Sequence, residues 1–343
     1  MSERQGAQGC SRVPSFLEEF AESFGVEEGW WLVVQCAAAE SGEPAARRDT
    51  ERPVPIIPVD DPDDPRLADY RDIPDPALLR ERGVFIAESR LVVRELLTHP
   101  HLATRSLFVT EAALSSLRDL VAGRAGDATA DDLPIYVGAN SLLGDVVGYS
   151  VHRGCLAAGV RPGRATDADL EQLETAGLVV ILERVTNPDN VGGIFRNAAA
   201  FGADCVLLSP SCCDPLYRKA IRTSLGATLR VAYGHVDDWP DGLRRLRAQG
   251  VTVAALTPDP DAPDIDAFVA SRPTRVAVLL GSEGPGLSEG ARAMADCRVR
   301  IPIEPEIDSL NVATASGIAL HRLSSELSHR ARRPRGERVE CDA

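Results

Sequence analysis

An α/β fold in two parts is predicted for this chain, and three observations carry the prediction. Short apolar runs alternate with amphipathic segments from residue 83 onward, as a sheet crossed by helices requires. Some of those runs, such as Leu178-Val-Val-Ile-Leu182, are apolar without interruption, which marks strands buried on both faces of a parallel sheet. The length, 343 residues, is enough to bury a sizeable core and to hold two domains.

Residues 1–60 are expected to be a poorly ordered leader. Ser15-Phe-Leu-Glu18 can open a short helix as a capping box, and Ser41 to Pro58 is rich in Pro, Arg and Glu, as linkers are. A smaller α/β domain is expected over 61–165. It contains a strand at Gly83–Ser89, an amphipathic helix at Leu91–Leu97, a second strand at Arg105–Thr110 followed by a helix from Glu111, and a third strand at Ile135–Val137. Residues 166–176 read as a linker.

The second domain is expected over 177–330, with a basic tail at 331–343. Its strands are read at 178–182, 205–208, 229–232, 251–256, 276–280 and 299–303. Its helices are read at 192–201, 239–249 and 309–327.

Charge and composition narrow the function classes. The net charge is −14, which argues against a uniformly basic nucleic-acid binder. Its distribution changes that view: residues 1–76 carry a net −10, residues 77–176 a net −3 and residues 177–343 a net −1. The acidity thus lies mostly in the first 76 residues, the leader and the start of the first domain, and a local basic face can still hold phosphate. Lys219 is the single lysine, so arginine carries the rest of the positive charge. The eight cysteines are scattered and form no zinc-site spacing, so buried free thiols are expected and no metal. No apolar run reaches the ~20 residues that span a bilayer. Trp30 to Ala39 follows acidic residues, so no secretory signal is read there, and a cytoplasmic location with no membrane is expected.

Four segments stand out. Asn187-Pro-Asp-Asn190-Val-Gly192-Gly-Ile-Phe-Arg196 follows a buried strand and opens a helix. Asn190 is a candidate N-cap, and Gly192 and Gly193 allow close backbone approach. Alone, this segment serves equally as a capped helix with a surface arginine. Leu280-Gly281-Ser-Glu283-Gly-Pro-Gly286-Leu-Ser288 ends a strand. It lacks the Gly-Lys-Ser/Thr of a Walker loop and is not a GxGxxG fingerprint. It can be a tight turn, or a backbone cradle whose missing Cβ atoms let amides approach a nucleoside. Ile301-Pro302-Ile303 and Ser309-Leu310-Asn311-Val312 head the last helix, with Ser309 or Asp308 as cap candidates. Tyr217-Arg218-Lys219-Ala-Ile-Arg222-Thr-Ser224-Leu-Gly226-Ala227 places arginines four apart on one helix face, which suits either a solvated surface or a phosphate grip.

In that order, the first three segments closely resemble the three motifs of the SpoU (TrmH) family of the SPOUT superfamily. Gly148-Tyr-Ser-Val-His152-Arg153-Gly154 is similar to the family's segment at the end of its substrate-binding domain. The resemblance implies a SPOUT-type parallel sheet with a C-terminal trefoil knot. It also implies a smaller RNA-substrate-binding domain in front, similar to certain ribosomal RNA-binding proteins. The implied activity is S-adenosylmethionine-dependent methyl transfer to a ribose 2′-hydroxyl of ribosomal or transfer RNA by a homodimer.

By the same resemblance Arg196 is the catalytic arginine, supported by Asn190, Glu283, Ser309 and Asn311. Gly281, Ile301, Leu310, Gly286 and Leu280 hold the methyl donor. Arg218, Lys219, Arg222 and Arg153 are assigned to RNA. Thr314 departs from the small residue usual in the family at that position. The reaction is a displacement at a sulfonium methyl that needs alignment and removal of one proton, and no metal. Arginine titrates above ~12, so Arg196 either loses its proton in place or stabilises the oxyanion. The alternative is a non-catalytic RNA-binding or ribosome-assembly protein on the same fold. An unrelated nucleotide-binding enzyme is disfavoured by the missing Walker and GxGxxG patterns.

Overall fold

The computed structural model describes residues 54–71, 74–122, 133–149, 154–163, 176–271 and 273–331. The leader helix at Ser15, the linker at 166–175, Arg153 and the basic tail beyond 331 lie outside the described residues.

The first sheet has five strands: β1 Ile56–Pro58, β2 Val84–Glu88, β3 Thr104–Val109, β4 Ile135–Val137 and β5 Cys155–Val160. Their order is β1-β4-β3-β5-β2. β1, β4 and β3 run parallel, whereas β5 runs antiparallel to both β3 and β2. Two of these strands correct the expectation. β1 falls inside the segment expected as leader. Its backbone pairs with β4, and the amide of Val59 extends the ladder by donating to the Val137 carbonyl at 2.9 Å. A proline at the end of an edge strand costs no ladder bond, so the Pro-rich signal that argued for a linker is compatible with an edge. β5 is buried at five of six positions and carries Ala and Gly, so its strand propensity is weak and tertiary pairing decides it.

The second sheet has six strands, all parallel: β6 Leu178–Glu183, β7 Cys205–Leu208, β8 Ala232–His235, β9 Thr252–Leu256, β10 Val276–Gly281 and β11 Cys297–Val299, in the order β11-β9-β10-β6-β7-β8. β6 is buried at all six positions, as its unbroken apolar run requires. The expected strand at 229–232 is instead a helical turn, Ala227–Arg230, and β8 begins after it. Leu229 there belongs to the buried core beside the first sheet, together with Val92 and Leu96, and a short apolar run does not by itself distinguish strand from buried helix. The last strand also ends earlier than expected, leaving Ile301–Ile303 free of the ladder.

Two long helices flank the site. α5 spans Pro188–Phe201 and α11 spans Val312–Ala331, counting as α1–α4 the helices Arg90–Thr98, Glu111–Ser115, Arg118–Ala122 and Asn140–Val147 of the first half, and as α6–α10 Arg218–Thr223, Ala227–Arg230, Leu243–Ala248, Ile265–Ala270 and Glu289–Met294. α5 starts at Pro188 and not at Gly192. Its N-cap is Asn187, whose side chain accepts from the Asp189 amide, so Asn190 lies within the first turn and is buried. Proline at the first helical position fits this start.

α5 and α11 lie close because small residues face each other. A Cβ on Gly193 would come within 2.9 Å of the Ala313 Cβ. Asn197 donates to the Ala313 carbonyl at 2.7 Å and to Ser316 Oγ at 2.9 Å. α6 closes on the other side of α5, where a Cβ on Gly192 would meet the Ala220 carbonyl at 2.6 Å. α6 also ties the sheets together: the Arg218 guanidinium pairs with Asp75 at 3.1 Å, and Leu216, Ile221 and Leu229 join the core beside β2 and β3.

Candidate active site at the carboxyl ends of the parallel strands

β9, β10 and β11 end side by side, and the segments that leave them enclose a cavity of about 650 Å³. This is where a parallel α/β sheet presents its strand ends to ligands, and the volume falls within the ~300–1,000 Å³ of small-molecule sites. The cavity is lined by 256–259 after β9, by 280–287 after β10, by Ile301 and Ile303 after β11, and by Ser309–Val312 at the head of α11.

The loop after β10 is a closed turn. The Gly286 amide donates to the Ser282 carbonyl at 3.0 Å, and Gly284 and Gly286 adopt φ of +81° and +65°, which glycine takes without the strain other residues incur. The turn curls back over the end of its own strand: a Cβ on Gly281 would lie 2.5 Å from the Gly286 carbonyl carbon and 2.5 Å from the Leu287 nitrogen. This corrects the reason given for Gly281. Its missing Cβ makes room for the returning loop, not directly for a nucleoside.

Glu183 fixes the same loop from beneath. It ends β6 and is 2 % exposed. It accepts from the Ser288 amide at 2.7 Å, from Ser288 Oγ at 2.6 Å and from Trp239 Nε1 at 2.8 Å. Ser288 in turn caps α10 by accepting from the Ala291 amide. Sequence reading missed Glu183. The signal available was a lone carboxylate closing an otherwise apolar strand, which needs partners if it is buried.

Asn311 is the hub of the polar groups. Its Oδ1 accepts from the amides of Ala313 and Thr314 at 3.0 and 3.1 Å, so Asn311, and neither Ser309 nor Asp308, caps α11. Its Nδ2 donates to Asn190 Oδ1 at 2.9 Å and to Glu283 Oε1 at 2.6 Å. One side chain thereby joins the first turn of α5, the glycine-rich loop and the start of α11. Asn190 is 6 % exposed, so this bond satisfies a buried acceptor.

The structure therefore brings together Asn190, Glu283 and Asn311, with Ser309 on the wall of the same cavity. Leu280, Gly281, Gly286, Ile301 and Leu310 all line it. Arg196 does not. It is exposed on α5, outside the cavity lining, with no partner among the described residues. The basic segment is divided. Arg218 is committed to Asp75, whose carboxyl is pushed above its ordinary range by burial although Arg218 opposes this. Lys219 pairs with Asp189 at 2.6 Å and holds that carboxyl below the usual range, while Arg222 is exposed. Arg322, on the exposed face of α11, donates to Asp266 at 2.7 Å.

A six-stranded parallel sheet with a ligand-sized cavity at its strand ends, rimmed by Asn190, Glu283 and Asn311, defines an open α/β protein built to bind a small molecule there. Comparison with known proteins makes the class specific. Residues 177–321 match the SpoU rRNA Methylase family. An uncharacterized tRNA/rRNA methyltransferase of Mycobacterium tuberculosis is 38 % identical over 277 residues, covering 79 % of this chain and 92 % of that protein. A 23S rRNA (guanosine-2′-O-)-methyltransferase of Ralstonia nicotianae is 30 % identical over 183 residues, covering 53 % of this chain and 72 % of that protein.

Among solved structures, a putative RNA methyltransferase of the TrmH family from Porphyromonas gingivalis superposes with a TM-score of 0.62 at 26 % identity, covering 77 % of this chain and 97 % of that one. An rRNA methyltransferase from Sinorhizobium meliloti, described as AdoMet-bound, shares the fold with a TM-score of 0.65 at 23 % identity, covering 79 % and 98 %. This chain belongs to the SpoU (TrmH) methyltransferase family.

Proposed function

We propose that this protein transfers a methyl group from S-adenosylmethionine to a ribose 2′-hydroxyl of structured RNA, ribosomal or transfer, as a homodimer with a C-terminal trefoil knot. One observation carries the reading: a single cavity contains every residue assigned to the donor, and the Asn190–Asn311–Glu283 chain stands at its rim. The Ralstonia relative is named for 2′-O-methylation, and the Sinorhizobium structure for bound donor.

The residues present fit a nucleoside with a flexible tail. Leu256, Leu280, Ile301, Leu310 and Val312 offer apolar wall, and the 280–287 backbone supplies main-chain donors and acceptors at the mouth of β10. S-Adenosylmethionine supplies an electrophilic methyl carbon when bound there. The protein must hold the ribose oxygen in line with that carbon and stabilise it as its proton leaves. Arg196 suits the second task, since a guanidinium presents a planar fork of donors. Glu283, oriented by Asn311, is a carboxylate within the site able to take a proton, and Ser309 supplies a hydroxyl on the wall of the same cavity. Lys219, Arg222 and Arg153 are proposed to hold RNA phosphates, with Arg218 setting the helix that carries two of them. Intact Asn190, Glu283 and Asn311 favour catalysis over the binding-only alternative.

Arg196 lies off the cavity of its own chain, so we assign the arginine in each site to Arg196 of the partner subunit. Mixing Arg196→Ala with Gly281→Val tests both the reaction and the dimer. Each variant alone is expected to be inactive. The mixed dimer combines one intact cavity with one intact arginine and should recover up to about a quarter of wild-type turnover in a statistical mixture. Arginine acting within its own chain predicts no recovery. Donor bound by the wild type with no methyl transfer to any ribosomal or transfer RNA points to the binding-only reading. Ribose-methylation mapping in a deletion strain identifies the RNA.

A further inference from the structure

The ionisable groups that line the cavity are unevenly matched. Asp259 lies against the Arg298 guanidinium. Glu283 accepts from Asn311. Arg292, on α10 just beyond the glycine-rich loop, also lines the cavity and is exposed. Its guanidinium has no hydrogen-bond or ion-pair partner among the described residues, although Asp259 and Glu283 line the same space. A cavity with an unmatched guanidinium favours an anion, and a guanidinium engages a carboxylate through two parallel donors.

Resting on the donor reading above, we infer that Arg292 binds the carboxylate of the donor's amino-acid tail. S-Adenosylmethionine is a nucleoside with an α-amino-acid arm, and that arm carries its only anionic group. The main-chain loop at 280–287 and the apolar wall recognise shape and hydrogen-bonding edges, and neither supplies positive charge. Arg292 does, from the helix that Ser288 and Glu183 hold in place. The tail is thereby directed toward α10, and the sulfonium end of the arm is held by a charge contact at one side and the nucleoside cradle at the other.

Calorimetric titration of the full-length protein with S-adenosylmethionine, S-adenosylhomocysteine and 5′-methylthioadenosine tests this, since the last lacks the amino-acid arm. Arg292→Gln should weaken the first two about tenfold and leave methylthioadenosine within twofold. Arg292→Lys should retain part of the affinity, because it keeps the charge without the fork. Equal loss for all three ligands would overturn the assignment and make Arg292 a structural residue. Unchanged affinity for S-adenosylmethionine would overturn it too, and if RNA affinity fell at the same time the arginine would belong to the substrate. A wild-type protein that binds none of the three refutes the donor reading itself, and the assignment of Arg292 with it.

Discussion

Asn311 concentrates more of the site than any other side chain. Replacing it with alanine removes the α11 cap, worth about 1 kcal/mol. It also leaves the buried Asn190 oxygen without its donor, at a further ~1–3 kcal/mol. Asn311→Ala should therefore lower the melting temperature by several degrees and weaken donor binding. Asn311→Asp keeps the capping oxygen but loses the Nδ2 donor and sets a second carboxylate beside Glu283. A melting temperature equal to wild type in the aspartate variant would mean that the tie to Asn190 and Glu283 contributes nothing.

The thiols act at the same scale. Burial pushes Cys155, Cys205 and Cys213 up to about 12. An unfolded thiol titrates near ~8.5. Above that pH the unfolded chain sheds protons that the folded chain keeps, so this stabilisation is complete below pH ~8.5 and is lost as pH rises toward 12. Urea midpoints should fall between pH 8 and pH 10.5, and fall less when the three cysteines are replaced by alanine or valine. In the native protein at pH 8, the same thiols should resist iodoacetamide for as long as the fold is intact.

At the scale of elements, the glycines mark where backbone meets backbone. Gly281 sits under the loop that returns at Gly286 and Leu287, so even alanine would force that loop outward. Gly281→Val should abolish donor binding and also reduce thermal stability, because the obstacle is the protein's own main chain. Retained donor affinity would show that the loop can move without harm to the cavity. Gly192 plays a comparable part between α5 and α6. Gly192→Ala should spread those helices and shift the basic segment with them, costing stability by ~1–3 kcal/mol with the cavity intact. Comparing the melting temperature and donor affinity of the two variants separates their effects.

For the whole molecule, the position of β1 decides where the leader can be cut. Deleting residues 1–50 should leave stability and donor binding unchanged while removing much of the acidity of the first 76 residues. RNA affinity should stay equal or rise, more so at low salt where charges are less screened. Deleting 1–60 also removes β1 and Val59, which is 6 % exposed. Burial of a valine side chain is worth roughly 1.5 kcal/mol or more, and an opened sheet edge adds to the loss. The longer deletion should therefore melt at a lower temperature. A large loss of RNA affinity in the shorter deletion would instead give the leader a recognition role.

The sequence by itself determined the parts of this protein that depend on local pattern. The unbroken apolar run at Leu178 predicts a doubly buried strand, and β6 is one. The glycine-rich segment after Leu280 and the segment at Ser309–Val312 point to the residues that line one cavity. Tertiary structure alone decided the rest. β1 and β5 exist because partner strands complete their hydrogen bonds, not because of their composition. The turn at Ala227 divides its apolar residues between two cores, Ala227 facing that of the second sheet and Leu229 that of the first, which no local pattern records. Asn190 and Asn311 both looked like helix-head residues. Only the approach of α5 to α11 made one of them a buried acceptor and the other the cap that serves it. Arg196, conspicuous in sequence, stands outside the cavity, while Glu183 and Arg292 carry no motif and are defined by what surrounds them. A periodicity records which face of an element is apolar; it does not record which two elements will meet, and hydrogen bonds and charge pairs are made where they meet.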